Sequence, residues 1–145
     1  MHKAIIPAVF GALTIAAVIA TAPVALAETI NFKASLRASE EVPPNASKGT
    51  GTLHASYDTA SKQLFFSVNY AGLSGNATGA HFHGPADPGK NAGIVVPVQG
   101  SVANPIKGTA TLTDAQAADL MAGKWYFNIH TAANKAGEIR GQVTK

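Results

Sequence analysis

From Ile30 onward the chain alternates apolar and polar residues one for one, and this period of two constrains its fold more than any other feature. In "INFKASLRA", Ile30, Phe32, Ala34, Leu36 and Ala38 fall on one face, with Asn31, Lys33, Ser35 and Arg37 on the other. Side chains of an extended strand point alternately to opposite sides, so the pattern predicts a strand with one face on a core and one toward water. "GTGTLHASYD" repeats it with Leu53, Ala55 and Tyr57 inward, and "KQLFFSVNYAGL" with Leu64, Phe66, Val68 and Tyr70 inward. Shorter strands are predicted at "ATGAHFHG", "AGIVVPVQ", "IKGTATLT", "KWYFNIHT" and "GEIRGQVTK", with turn-forming stretches such as "EVPPNASKG" and "DTASK" between strands. Only "TDAQAADLMAGK" reads as a helix, with Thr113 or Asp114 as its N-cap and Gly123 just past its end. Many short strands and one helix predict an all-β fold, an antiparallel Greek-key sandwich or small barrel.

The segment ahead of this pattern is of another kind. Residues 1–27 join a basic start at His2 and Lys3 to an apolar run bracketed by Pro7 and Pro23, and close on Ala25-Leu26-Ala27. These are the parts of a secretory signal peptide cut before Glu28, and the cleavage signal favours that reading over a membrane anchor. The expected product is a secreted or periplasmic domain, residues 28–145, with no membrane attachment after cleavage. Its 118 residues suffice for one domain with one modest core.

The chain has no cysteine, so packing must hold it together without disulfides, and any metal must use histidine, carboxylate or backbone oxygen. The formal net charge is +3, or +2 without Lys3, and the basic residues are scattered singly. Nucleic acid is therefore not an expected partner. No Ser-His-Asp series, carboxylate pair or phosphate loop stands out.

The stretch "GAHFHGPA" puts His81 and His83 on either side of Phe82. Alternation sends Phe82 inward and both histidines outward, roughly 6 to 7 Å apart along the strand, a spacing from which two imidazoles can converge on one ion. In "KWYFNIHT" the same test turns Trp125, Phe127 and Ile129 inward, and Tyr126, Asn128 and His130 outward. In the last strand Ile139 points in, with Glu138, Arg140 and Gln142 out. A solvent-facing H-x-H also arises simply because polar residues fill an outer face, and the pair alone does not define a site. The third histidine, in a strand of like polarity, raises the alternative of a three-histidine metal centre of His81, His83 and His130. Nitrogen donors of this kind suit copper or zinc rather than calcium or magnesium, and outside the cytoplasm copper is favoured over zinc. Asn128, Glu138 and Arg140 are candidates for the shell behind the ligands, where hydrogen bonds to the second ring nitrogens orient them. Arg140 reads more simply as half of a surface ion pair with Glu138 or with a neighbouring strand. His54, remote from the pair, is a weaker fourth candidate.

The motifs "EEVPP", "GAHFHGPA", "YFNIHT" and "GEIRGQV", in this order, make residues 30–144 resemble the CHRD domain, the module repeated in chordin and found as single-domain exported bacterial proteins. The resemblance implies an all-β sandwich and secretion, and by analogy with chordin an extracellular protein-interaction role. Gly79-Ala80-His81-Phe82-His83 is also similar to the copper-ligand motif of copper/zinc superoxide dismutases, which implies copper ligation by His81 and His83. The chain lacks that family's cysteines and has no clear zinc ligands. Three readings follow: an exported copper-binding protein, an extracellular interaction module with a protein partner and no metal, and a superoxide dismutase-like enzyme as the least supported.

Overall fold

The computed structural model describes residues 26–145; residues 1–25, which carry most of the expected signal peptide, lie outside the described residues. Eight strands form where the alternation predicts them: β1 (Thr29–Arg37), β2 (Thr50–Asp58), β3 (Gln63–Ala71), β4 (Ala77–His83), β5 (Ile94–Pro97), β6 (Ile106–Thr111), β7 (Tyr126–Thr131) and β8 (Ile139–Gln142). One helix, α1 (Asp114–Met121), lies between β6 and β7. Thr113 caps it by accepting from the Gln116 N–H at 3.2 Å, while the Gln116 side chain accepts from the Thr113 N–H at 2.9 Å. This reciprocal box satisfies two amide donors that the first turn would otherwise leave free. Gly123, at φ 71°, follows the helix in the left-handed conformation that glycine adopts without strain.

All the strand pairs are antiparallel, and they make one sheet in the order β5-β4-β7-β8-β1-β2-β3-β6. The sheet curls nearly into a barrel. Closing that order on itself would give 3-6-5-4, the Greek-key order. The curl is what lets one sheet enclose its own core: four strands separate β3 from β4, yet Phe66 of β3 meets Phe82 of β4 edge-on at 5.1 Å. Phe82 also packs on Phe127 at 4.8 Å and Trp125 at 5.7 Å, and all three of these residues are fully buried. Leu53, Leu64, Val68, Ile106, Ile129 and Ile139 complete the interior, each from the face that alternation assigns to it.

The outer face departs from expectation on β7 and β8. Tyr126, Asn128, Glu138 and Arg140 do point away from the core, but they are buried rather than wet. For Tyr126 and Arg140 the cover is the loop 84–93, which folds back over these strands instead of standing in solvent, while Glu138 is enclosed by the segments that carry Ser47 and Ser74. Arg140 donates to the Lys90 carbonyl at 2.6 Å and to Asn91 Oδ1 at 2.9 Å, and Gln142 donates to the Ala86 carbonyl at 2.9 Å. The surface ion pair expected for Arg140 is therefore corrected. Among the described residues the salt bridges are Lys62–Asp114 and Lys124–Asp87, and no carboxylate lies within 4.0 Å of the Arg140 guanidinium.

Because Phe82 sits at the centre of the aromatic cluster and between two of the histidines, its loss should be felt in both core and site. Phe82→Ala should cost about 3–5 kcal/mol, read as a lower urea midpoint with an unchanged slope. A cost below about 1 kcal/mol would contradict this packing.

Candidate metal centre

The register of β4 against β7 builds the site. Gly79 lies opposite His130, His81 opposite Asn128, and His83 opposite Tyr126. The His81 ring leans over Gly79, close enough that a Cβ there would touch it in ordinary contact at 3.5 Å. There its Nδ1 comes within 3.1 Å of His130 Nε2. One ring nitrogen from each of His81, His83 and His130 lies within 4.8 Å of the others. His83 is buried, while His81 and His130 are partly open, so the cluster is reached from the side of those two rings.

Hydrogen bonds fix which nitrogens face inward. His83 Nδ1 is 3.0 Å from the Ala92 carbonyl and His130 Nδ1 is 2.9 Å from the Lys135 carbonyl. A carbonyl can only accept, so each Nδ1 carries the hydrogen, and in the neutral ring Nε2 is left as a lone pair. These two Nε2 atoms turn toward the same amide: Asn128 Oδ1 lies 3.1 Å from that of His83 and 2.9 Å from that of His130. Acceptors facing an acceptor need something between them, either a proton, the NH₂ end of a turned amide, or a cation.

The rings are held in place as well as oriented. His83 stacks on Tyr126 at 4.8 Å with the planes 1° apart. The Arg140 guanidinium, coming from the strand on the other side of β7, lies 3.4 Å over the same phenol ring. Tyr126 Oη in turn bonds the Ala92 backbone, whose carbonyl holds His83. Burial holds the His83 imidazole below its ordinary pKa, against the opposing pull of its bonds to Ala92 and Asn128. His81 is lowered too, by burial first and then by the charges of His130 and His83. Depressed values keep the ring nitrogens unprotonated and free to donate to a metal.

The candidates for the supporting shell divide. Asn128 touches two of the three histidines. Arg140 reaches the site through Tyr126. Glu138 bonds none of the histidines: its carboxylate accepts from the Ser47 hydroxyl at 2.6 Å, the Ser74 N–H at 2.7 Å, the Ser74 hydroxyl at 2.6 Å and the Thr131 hydroxyl. It staples the loops around β7 and β8 instead. His54 lies on the exposed face of β2, opposite Lys33 and Ser67 in the register, and does not join the cluster.

One residue escaped the sequence reading. Glu41, just after β1, is only 6% exposed and packs against Gly137, and its Oε1 has no hydrogen-bond partner. Burial raises its carboxyl to about 7, although Arg140 and Asn128 both pull it down. Its one signal in the sequence is its place in the "EEVPP" motif, which says nothing of burial.

Fold and site together define a small all-β module with a histidine cluster on the outer face of its sheet. The CHRD domain model matches residues 32–143, and the chain belongs to that family. The matched span takes in Glu41, the three histidines, Asn128 and Arg140. No curated protein and no solved structure matches the chain. CHRD domains occur in extracellular proteins. Among the described residues no helix is long and apolar enough to cross a membrane.

Glu138 should make the fold acid-sensitive. Burial alone would raise its carboxyl, but the bonds from Ser47, Ser74 and Thr131 outweigh that and hold it at about 2, below the ordinary 4.5. The unfolded chain therefore takes up a proton first as pH falls, so the stabilisation is complete above pH 4.5 and drains away toward pH 2. Denaturant midpoints measured across that window should fall with acid. Glu138→Gln should flatten the dependence and lower stability at neutral pH by about 1–3 kcal/mol. An equal acid slope in both proteins would exclude Glu138 as its source.

Proposed function

We propose that this protein is an exported metal-binding module in which His81, His83 and His130 hold one divalent late transition metal, copper before zinc. The observation that carries the reading is the convergence of three ring nitrogens within 4.8 Å, two of them oriented by backbone carbonyls on their far sides. A carbonyl behind the second ring nitrogen is the arrangement by which histidine ligands are aimed. Three neutral nitrogen donors favour copper over other first-row divalent ions and disfavour calcium and magnesium. The partly open His81 and His130 side leaves an approach for the ion and a further position for water or a small ligand. Export follows from the leader-like residues 1–27 and fits the extracellular setting of the family.

Binding a protein partner is the second reading, favoured by large apolar residues that the sheet leaves in solvent, among them Phe65 and Ile94 at 49% and 53% exposure. The superoxide dismutase-like reading has less behind it. His81, His83 and His130 are the one cluster of metal-ligand type among the described residues, so a paired zinc site has no counterpart.

Titration of the metal-free protein with Cu(II), followed by calorimetry, should give one equivalent bound. Replacing all three histidines with alanine should abolish it. Protons compete with the metal for ring nitrogens. Since His81 and His83 titrate below the ordinary 6.5, affinity should persist at pH 6.5 and fall as the solution is made more acidic. Equal binding by the triple variant would refute the proposal.

A further inference from the structure

Glu41 is buried near Asn128 of the histidine centre with one carboxylate oxygen, Oε1, that no hydrogen bond explains. A carboxylate oxygen enclosed without a donor is costly, since the water it gave up is not replaced. Glu138 shows the satisfied alternative in the same molecule, with hydroxyls and an amide filling its acceptor sites. Glu41 has instead an orphaned Oε1, the Asn128 amide and the charge of Arg140 nearby. Room for it is made by Gly137, at φ 136°, where a Cβ would collide with the carboxylate.

The two groups around Glu41 point to what it does. Asn128 presents one end of its amide to His83 and His130 and can turn the other toward Glu41. Burial raises the Glu41 carboxyl to about 7, and once ionised above that value it accepts hydrogen bonds and cannot donate them, so it then selects the NH₂ end for itself and sends Oδ1 toward the rings. The Nε2 atoms of His83 and His130 and the amide oxygen then face one another with electron pairs, with only His81 Nδ1, 3.1 Å from His130 Nε2, able to place a hydrogen among them, an arrangement suited to a cation. Arg140 sits directly across the β7–β8 ladder from Asn128, and its positive charge acts on His83. Left uncompensated it would oppose a cation at the histidines; Glu41 offsets it.

We propose that Glu41 is the positioning carboxylate of the histidine centre, fixing the orientation of the Asn128 amide and cancelling the charge of Arg140 on the side where the metal binds. The inference rests on the three-histidine reading and adds to it a residue that touches no metal.

The test compares the protein with its Glu41→Gln variant, which keeps the side chain's volume and removes its charge. Thermal unfolding of both metal-free proteins comes first, and the variant should melt no lower, because a buried carboxylate with one orphaned oxygen is replaced by a neutral amide. Calorimetric titration with Cu(II) should then show the variant binding about 10- to 100-fold more weakly. The Cu(II) electron paramagnetic resonance spectrum should change in its copper hyperfine splitting, a signature that simple loss of packing in a stably folded protein would not move. Glu41→Asp, which restores the charge on a shorter arm, should recover part of the affinity. Equal Cu(II) affinity and identical spectra in the parent and Glu41→Gln would overturn the assignment while leaving the three-histidine site standing. Failure of the parent itself to bind Cu(II) would overturn both.

Discussion

The backbone hydrogen bonds that pair β4 with β7 set Gly79 against His130 and His81 against Asn128, and the histidine site depends on that register. A slip of one residue would turn His81 and His83 inward and Phe82 out, exchanging the site for a hole in the core. The same alternation thus serves two ends. Phe82 anchors the aromatic cluster from inside, and the histidines on either side of it inherit the rigidity of that packing. Metal ligation is demanding of position, and a strand fixed by its buried neighbour holds a ligand more firmly than a loop does.

Around this pair the outer face is built as a second, polar interior. The loop 84–93 covers β7 and β8, and its carbonyls take up the Arg140 guanidinium and the His83 Nδ1. Tyr126 stands between those two groups and joins them through its ring. Burial of this kind is tolerable only where donors and acceptors are matched. Glu138 meets the condition fully and ties the surrounding loops together. Glu41 does not: its Oε1 is buried against Gly137 with no donor.

Much of this was legible in the sequence because the period of two carries both the strands and their faces. Eight strands and a capped helix followed from alternation and turn residues, and the outward direction of His81, His83 and His130 from the inward direction of Phe82, Phe127 and Ile129. Direction is not exposure, however. Whether an outward residue meets water depends on where loops travel, and nothing in "GPADPGKNAG" shows that it doubles back over the sheet. Arg140 accordingly read as a surface ion pair, and Glu138 as a partner of the histidines. Strand adjacency was hidden for the same reason. β4 and β7 are far apart in the chain, and their pairing is a property of the closed topology rather than of either segment. Glu41 could not be found from its neighbours at all, since a carboxylate beside two prolines in a turn looks like any solvated one.

The central claim is that three imidazoles from β4 and β7 grip one cation, and X-ray absorption at the copper edge of the protein loaded with one equivalent of Cu(II) tests it most directly. The account predicts nitrogen neighbours at about 2 Å, with outer-shell scattering from three imidazole rings that disappears when His81, His83 and His130 are all replaced by alanine. Copper ringed by oxygen alone, or an unchanged spectrum in the triple variant, would contradict it.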